Sequence, residues 1–247
     1  MKIIGVYNIK GGVGKTATAV NLGYISAKAG MRTLIWDLDP QGASSFYFRI
    51  KPKLKGPKKL LRGERDLDEA IKATDYPKLD LLPADFSFRN MDLLLEELKN
   101  PMRQLLALLK PLSEEYDRIY LDCPPSISLV SENVFRASSA LVVPTIPTTL
   151  SLRTLYQLLE FLNGHKMNKT PVWPVLSMAD RRKKMHKEIM DAPPENSFQT
   201  VIPYSSSVEL MGEYRKPVLE YSRSCPAARA YVELWKELEG RLRKKKG

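Results

Sequence analysis

Asn8-Ile9-Lys10-Gly11-Gly12-Val13-Gly14-Lys15-Thr16 decides how this chain is read. Ahead of it, residues 3–8 are short, apolar and rich in β-formers. Behind it, residues 15–29 carry Ala19, Leu22, Ile25 and Ala29 on one helical face, and Gly30 stands where a helix stops. A glycine-rich loop between a strand and a helix is suited to hold an anion. Glycines let backbone N–H groups turn inward without Cβ clashes, and the helix N-terminus adds partial positive charge. From this loop Lys15 can reach β- and γ-phosphates, and the Thr16 hydroxyl can ligate Mg²⁺. A glycine-rich turn with incidental lysines is the alternative. It leaves two lysines at fixed spacing in strand–loop–helix context unexplained.

Outward from the loop, residues 32–36 form a second apolar strand that ends at Asp37-Leu38-Asp39-Pro40. Residues 51–63 hold Pro52, Gly56, Pro57 and several lysines, the composition of an exposed loop or short linker. A short helix is expected over 67–72 and a short strand over 79–83. Helices follow over 88–98 and 102–115, parted by Asn100-Pro101. Residues 118–122 are a third strong strand. The pattern continues with helix 128–137, strand 140–144, helix 150–162, strand 172–177, a basic helix 180–190, a short strand 200–203 and a terminal helix 227–242. Strands alternating with helices predict the α/β class: three layers, with a mostly parallel, twisted sheet between helices on both faces. With no internal repeat, we expect one domain over 1–247, with 243–247 a frayed basic tail.

Composition narrows the function classes. A chain of 247 residues, 43% hydrophobic, lies at the upper end of one compact domain. No stretch approaches the ~18–20 continuous apolar residues that cross a bilayer. The N-terminus runs straight into a core strand without signal-peptide anatomy, which predicts a cytoplasmic protein. The two cysteines, Cys123 and Cys225, form neither a disulfide framework nor a metal cluster. The net charge of +11 favours an anionic partner, either nucleic acid or an acidic membrane surface.

Lys10 sits where the phosphate-loop pattern G-x-x-x-x-G-K-[ST] would have its first glycine, which gives the deviant Walker A form K-G-G-x-G-K-[ST]. In this the chain resembles the ParA/MinD group of P-loop NTPases, and most of all the ParA (Soj-like) partition ATPases. Ala19-Val20-Asn21-Leu22, the switch I stretch Asp37-Leu38-Asp39-Pro40-Gln41-Gly42 and the Walker B and switch II stretch Asp122-Cys123-Pro124-Pro125-Ser126 carry the match. Val201-Ile202-Pro203 and Gly212 with Lys216-Pro217-Val218 extend it to nearly the whole chain. Ile9 replaces a usual Gln and Ala17 a common second Thr, and neither change removes a phosphate or metal ligand.

The resemblance implies ATP and Mg²⁺ as cofactors and ATP hydrolysis that is slow until a partner stimulates it. Gly11, Gly12, Val13, Gly14, Lys15, Thr16 and Ala17 would surround the phosphates, with Met178 and Pro203 near the base. Lys15 would hold its own subunit's phosphates, Lys10 would reach the nucleotide of the second subunit of a homodimer, and Asp39 would orient the attacking water. For Asp39 a plain turn-capping role before Pro40 is the alternative. Thr16 and, through water, Asp122 would hold the metal. Asp37, taken to lie on the other face of its strand from Asp39, would support the metal's surroundings or the loop.

The resemblance also implies non-specific DNA binding by the ATP-bound dimer, association with the nucleoid, and a ParB-like centromere-binding partner. Arg181, Arg182, Lys183, Lys184 and Lys187, with Arg215 and Lys216, are the DNA-binding candidates, and a merely solvated basic face is the alternative. The position after Val-Ile-Pro, where relatives often carry a basic residue, is Tyr204. A MinD-like membrane role would use the terminal helix, through Val232, Leu234, Trp235, Leu238 and Leu242. Core packing of those residues is the preferred reading, because Glu233, Glu237 and Glu239 would face anionic lipid. An ATPase that positions a protein cluster is a further alternative. Because the loop begins so near the N-terminus, no separate operator-reading domain is expected.

Overall fold

A computed structural model describes residues 1–51, 67–84, 90–98, 100–167 and 169–244. Among them, seven strands form one sheet in the order β3-β4-β2-β5-β1-β6-β7. The strands are β1 (Lys2–Val6), β2 (Thr33–Asp37), β3 (Lys72–Ala73), β4 (Leu79–Leu82), β5 (Arg118–Asp122), β6 (Ala140–Thr145) and β7 (Val172–Leu176). All pairings are parallel except β3 on β4, a two-residue antiparallel edge.

Period-two alternation assigns side chains to the two faces. Ile3, Leu34, Trp36, Ile119, Leu121, Leu141 and Val143 pack on one face. They are covered by helices α3 (Met91–Glu96), α4 (Gln104–Leu109), α5 (Leu129–Ala137) and α6 (Thr149–Gly164). Ile4, Val6, Ile35, Tyr120, Val142 and Val175 pack on the other, beneath α1 (Lys15–Lys28) and α11 (Pro226–Lys244). The central strands are buried on both faces, which is why they are continuous apolar runs. Between β2 and β3 lies α2 (Ala43–Tyr47), and after β7 come α7 (Lys184–Asp191), α8 (Ser206–Glu209), α9 (Met211–Tyr214) and α10 (Val218–Tyr221).

The terminal helix packs as core. Leu234, Leu238 and Leu242 are buried against α1, and Trp235 donates its indole N–H to Ser26 Oγ at 2.8 Å. The apolar face an amphipathic membrane anchor would need is spent inside the fold. No helix among the described residues is long and apolar enough to cross a membrane. Arg243 and Lys244 continue α11, and 245–247 lie outside the described residues.

Several expected elements differ, each for a local reason. Residues 67–70 form a turn that seats Leu67 and Ala70 in the core, and the chain then pairs with β4 instead of continuing as a helix. The helix expected over 102–115 is cut to Gln104–Leu109 between 3₁₀ turns at Pro101–Arg103 and Pro111–Glu114, because proline lacks an N–H and disfavours helix before it. The expected strand 200–203 shrinks to one bridge between Ala179 and Pro203. The basic helix starts only at Lys184. The Asp180 carboxylate captures the N–H and Nε of Arg182, and the Asp180 N–H donates to His186 Nδ1, so 180–183 are held as a turn. The loop expected over 51–63 and the start of the helix expected at 88 fall almost wholly outside the described residues.

Candidate functional site

The site lies at the carboxyl edge of the sheet, where β1, β2 and β5 end side by side and open α/β sheets bind ligands. The loop after β1 is anchored by a buried side chain to which the sequence assigned no role. Asn8 Nδ2 donates to Pro144 O at 2.8 Å, and Asn8 Oδ1 accepts the Lys10 N–H at 2.9 Å. Gly12 and Gly14 have φ of +70° and +91°, left-handed values that favour glycine. A Cβ on Gly14 would also stand 3.1 Å from Ser177 Oγ. Gly14 caps α1 with no side-chain hydrogen bond, and the first turn has no acidic residue. The helix therefore offers its free N–H groups and positive end to a ligand. Val13 and Ala17 bury their side chains, leaving the backbone as their available contact.

The two lysines part company. Lys15 is only 7% exposed and donates from Nζ to Lys10 O at 3.1 Å, across the loop's own concavity. Burial lowers its pKa, while the charges of Asp122, Cys123 and Asp39 oppose that shift. The Lys10 ammonium instead leaves the loop and donates to Ser151 Oγ at 3.3 Å, in the first turn of α6.

Asp37 and Asp122 end neighbouring strands as direct register partners, and both are fully buried. Ser45 donates to Asp37 Oδ2 from its N–H at 2.8 Å and its hydroxyl at 2.7 Å, while Ser44 Oγ donates to Asp122 Oδ2 at 2.8 Å. The nearby Thr16 hydroxyl, like Ser44, favours the ionised form of Asp122. Desolvation, then mutual repulsion, pushes Asp37 up to about 8. Asp122 is also raised, chiefly by burial. The Oδ1 atoms of both carboxylates lack a hydrogen-bond partner. Two orphaned, buried carboxylate oxygens with the Thr16 hydroxyl close by form an oxygen donor set suited to a hard divalent cation such as Mg²⁺.

The structure corrects one detail of the sequence reading. Residues two apart in a strand share a face, so alternation cannot set Asp37 and Asp39 on opposite sides, and β2 ends at Asp37, which leaves Asp39 beyond the strand. Asp39 shapes the next loop: its Oδ1 accepts the Gln41 N–H at 2.9 Å and its carbonyl accepts the Gly42 N–H at 2.8 Å. Gly42, at φ +66°, then opens α2, which carries Ser44 and Ser45 to the carboxylates. The capping role is thus present, on a half-buried side chain beside the phosphate loop.

Met178, at φ +53°, stands next to Gly14. Beyond it a cavity of about 500 Å³ is lined by Ala179, Asp180, Arg181, Pro203 and Tyr204 among others. Cys123 is buried, with its thiol pushed well above the usual range by burial, so it packs and is poorly suited to react.

The basic candidates do not behave alike. Arg181, Arg182, Lys183, Lys184 and Lys187 are all exposed. Arg182 forks onto Asp180, and Lys184 lies 3.9 Å from Glu188. Arg215 and Lys216 are half-buried. The Arg215 guanidinium donates to Phe46 O at 3.0 Å and covers the Phe46 ring at 4.3 Å, which ties it to α2. Asn8, Ser44, Ser45 and Ser151 are the site residues the sequence did not single out. Serines opening a short helix look like ordinary caps, so nothing in the sequence marked Ser44 or Ser45 as partners of the two aspartates.

Residues 1–172 match a family model described as an AAA domain. The chain is 30% identical to the chromosome partitioning protein ParA of Caulobacter vibrioides over 98% of this chain and 96% of that protein. It is 31% identical to the sporulation initiation inhibitor protein Soj of Bacillus subtilis over 96% of this chain and 98% of that one. A plasmid partition protein from Borrelia burgdorferi, solved bound to AMPPNP, superposes with a TM-score of 0.85 over 97% of this chain and 99% of its own, at 20% identity. With its strand order, phosphate loop and paired strand-end aspartates alongside these full-length matches, the chain belongs to the ParA family of P-loop partition ATPases.

Proposed function

We propose that this protein is an ATP-hydrolysing switch for DNA partition, a single domain that dimerises around Mg·ATP. The observation that carries this reading is the division of labour between the two loop lysines: Lys15 lies across the cradle, while Lys10 leaves it for Ser151. The loop N–H groups, the α1 terminus and Lys15 bind and neutralise the phosphates. Thr16, Asp122 and, behind them, Asp37 would hold Mg²⁺, which when bound supplies charge neutralisation on the phosphate oxygens. Asp39 orients the attacking water, and the base rests near Met178 and Pro203. Lys10 acts on the nucleotide of the facing subunit, where a cation supplied from outside stabilises transition-state charge, so hydrolysis is tied to dimerisation.

In this reading the ATP dimer binds DNA non-specifically through the exposed cations of 181–187, with Arg215 and Lys216 at the margin. A ParB-like partner completes hydrolysis and release, and the working place is the cytoplasm, on the nucleoid. DNA co-sedimentation tests it. Wild-type protein should pellet with plasmid DNA in Mg·ATP, remain soluble in Mg·ADP, and lose ATP-dependent pelleting in Lys15→Ala. Equal pelleting in ATP, ADP and no nucleotide would sink the switch.

A further inference from the structure

At the opposite edge of the sheet from the phosphate loop, three segments converge on a second cleft. The end of α5, the loop from α6 into β7 and the start of α4 meet there. Thr170 Oγ1 ties the loop to α5 by donating to Phe135 O at 2.9 Å, and Asn133 Oδ1 of α5 accepts the Leu105 N–H of α4 at 3.2 Å. The cavity is about 330 Å³ and has four cations at its rim, Arg103, Arg136, Lys166 and Lys169, all exposed. Among the described residues no carboxylate lines it and none of the four cations is in an ion pair. Its floor is apolar: Phe135 and Met167 are buried beneath it, and Leu106 is left 41% exposed at its side.

This combination selects a ligand class. A cationic rim without internal counter-charges attracts an anion and steers its approach. A duplex backbone presents phosphates on a convex surface and has no use for a concave apolar floor. A peptide that carries carboxylates around one or two apolar side chains satisfies both parts, with an anchor in the pocket and charges at the rim. We propose that this cleft docks a short acidic segment of a partner protein. One apolar side chain of the segment sits on the Phe135–Met167 floor beside Leu106, and its carboxylates lie against the four cations. The cleft is remote from the phosphate loop, so docking there leaves the nucleotide edge free. The proposal stands whether or not the ATPase reading does.

The test is fluorescence polarisation of a fluorescein-labelled peptide, Glu-Asp-Leu-Leu-Glu-Asp-Glu, on the full-length protein. The same peptide with serines for leucines and a 20-base-pair duplex serve as comparison probes. The leucine peptide should bind, and Arg103→Glu/Arg136→Glu should weaken it by about tenfold or more. Arg181→Glu/Lys184→Glu, reversing charge elsewhere, should change it by less than about twofold, because screening limits distant charges to a range of ~10 Å. The serine peptide should bind about tenfold more weakly. If the reversed arginines melt early by circular dichroism, Lys166→Gln/Lys169→Gln gives the same reading with a milder change. No peptide binding, equal loss in both reversed pairs, or indifference to the leucine-to-serine exchange would overturn the proposal. So would loss of duplex binding, without any peptide binding, in the Arg103/Arg136 variant.

Discussion

Replacing Asp37 with Asn should make the metal-free protein more stable while spoiling its use of Mg²⁺. Asp37 is fully buried beside Asp122, and burial raises its pKa to about 8 from an ordinary value near 3.8. The unfolded chain has this carboxylate ionised at neutral pH, whereas the folded protein must keep it protonated or bury its charge. The folded-state pKa is the raised one, so metal-free stability is greatest below the unfolded pKa. It falls as pH climbs from about 4 to about 8. Each pH unit across that window costs ~1.4 kcal/mol, which puts a ceiling of ~4 kcal/mol on the penalty at pH 7. Relaxation and water entry reduce such penalties, and we expect a gain of about 2 kcal/mol on removing the charge. Asn keeps an oxygen for the two Ser45 hydrogen bonds and places an amide where Oδ1 now lacks a partner. For a chain of this size the gain corresponds to a melting shift of roughly 4–8 °C. Thermal melts in EDTA at pH 5.5, 7 and 8 would measure it. The advantage of Asp37→Asn should widen with pH, while Mg²⁺ should stabilise the ATP complex of the variant less than that of wild type. A variant that melts no higher than wild type at pH 8, or shows the same pH slope, would refute the electrostatic argument.

Other expectations follow from single contacts. Gly14→Ala forces a left-handed residue against Ser177 Oγ, and should cost about 1–2 kcal/mol and abolish ATP binding in calorimetric titration. Glu239→Ala strands Arg118, whose Nε now donates to Glu239 Oε1 at 2.8 Å in a largely buried pair. Urea unfolding should show a loss of about 3 kcal/mol, without loss of nucleotide binding in the remaining folded protein. Reversing Arg182, Lys183 and Lys184 together should weaken ATP-dependent DNA binding and flatten its salt dependence, and an unchanged slope would move the DNA surface elsewhere.

The sequence made the phosphate side of the site legible because its chemistry is local. A strand, a glycine-rich loop and a helix in succession leave little freedom, and Asp122 follows directly from an apolar run. The parallel core was legible for the same reason: β1, β2, β5 and β6 are buried on both faces and so are continuous in sequence. What escaped depends on contacts between distant segments. Ser44 and Ser45 become site residues only because α2 folds back over two strand ends. Lys10 takes its bearing from Ser151, 141 positions away. The 180–190 stretch has helical composition, yet Asp180 binds its own neighbour Arg182 and delays the helix. Arg215, basic and counted toward a DNA surface, is drawn onto Phe46 by a carbonyl and an aromatic ring that no local pattern announces. On the C-terminal helix the sequence already preferred core packing over a membrane role, and the burial of Leu234, Leu238 and Leu242 agrees with it.

If Lys10, which leaves its own cradle, serves a second subunit, then ATP binding and dimerisation must come apart on its removal. Sedimentation equilibrium in Mg·ATP on wild type, Lys10→Ala and Lys15→Ala, with ATP binding measured on the same samples, tests it most directly. Wild type should sediment as a dimer, Lys10→Ala as a monomer that still binds ATP, and Lys15→Ala as a monomer that binds none. A Lys10→Ala protein that dimerises and hydrolyses ATP like wild type would contradict it.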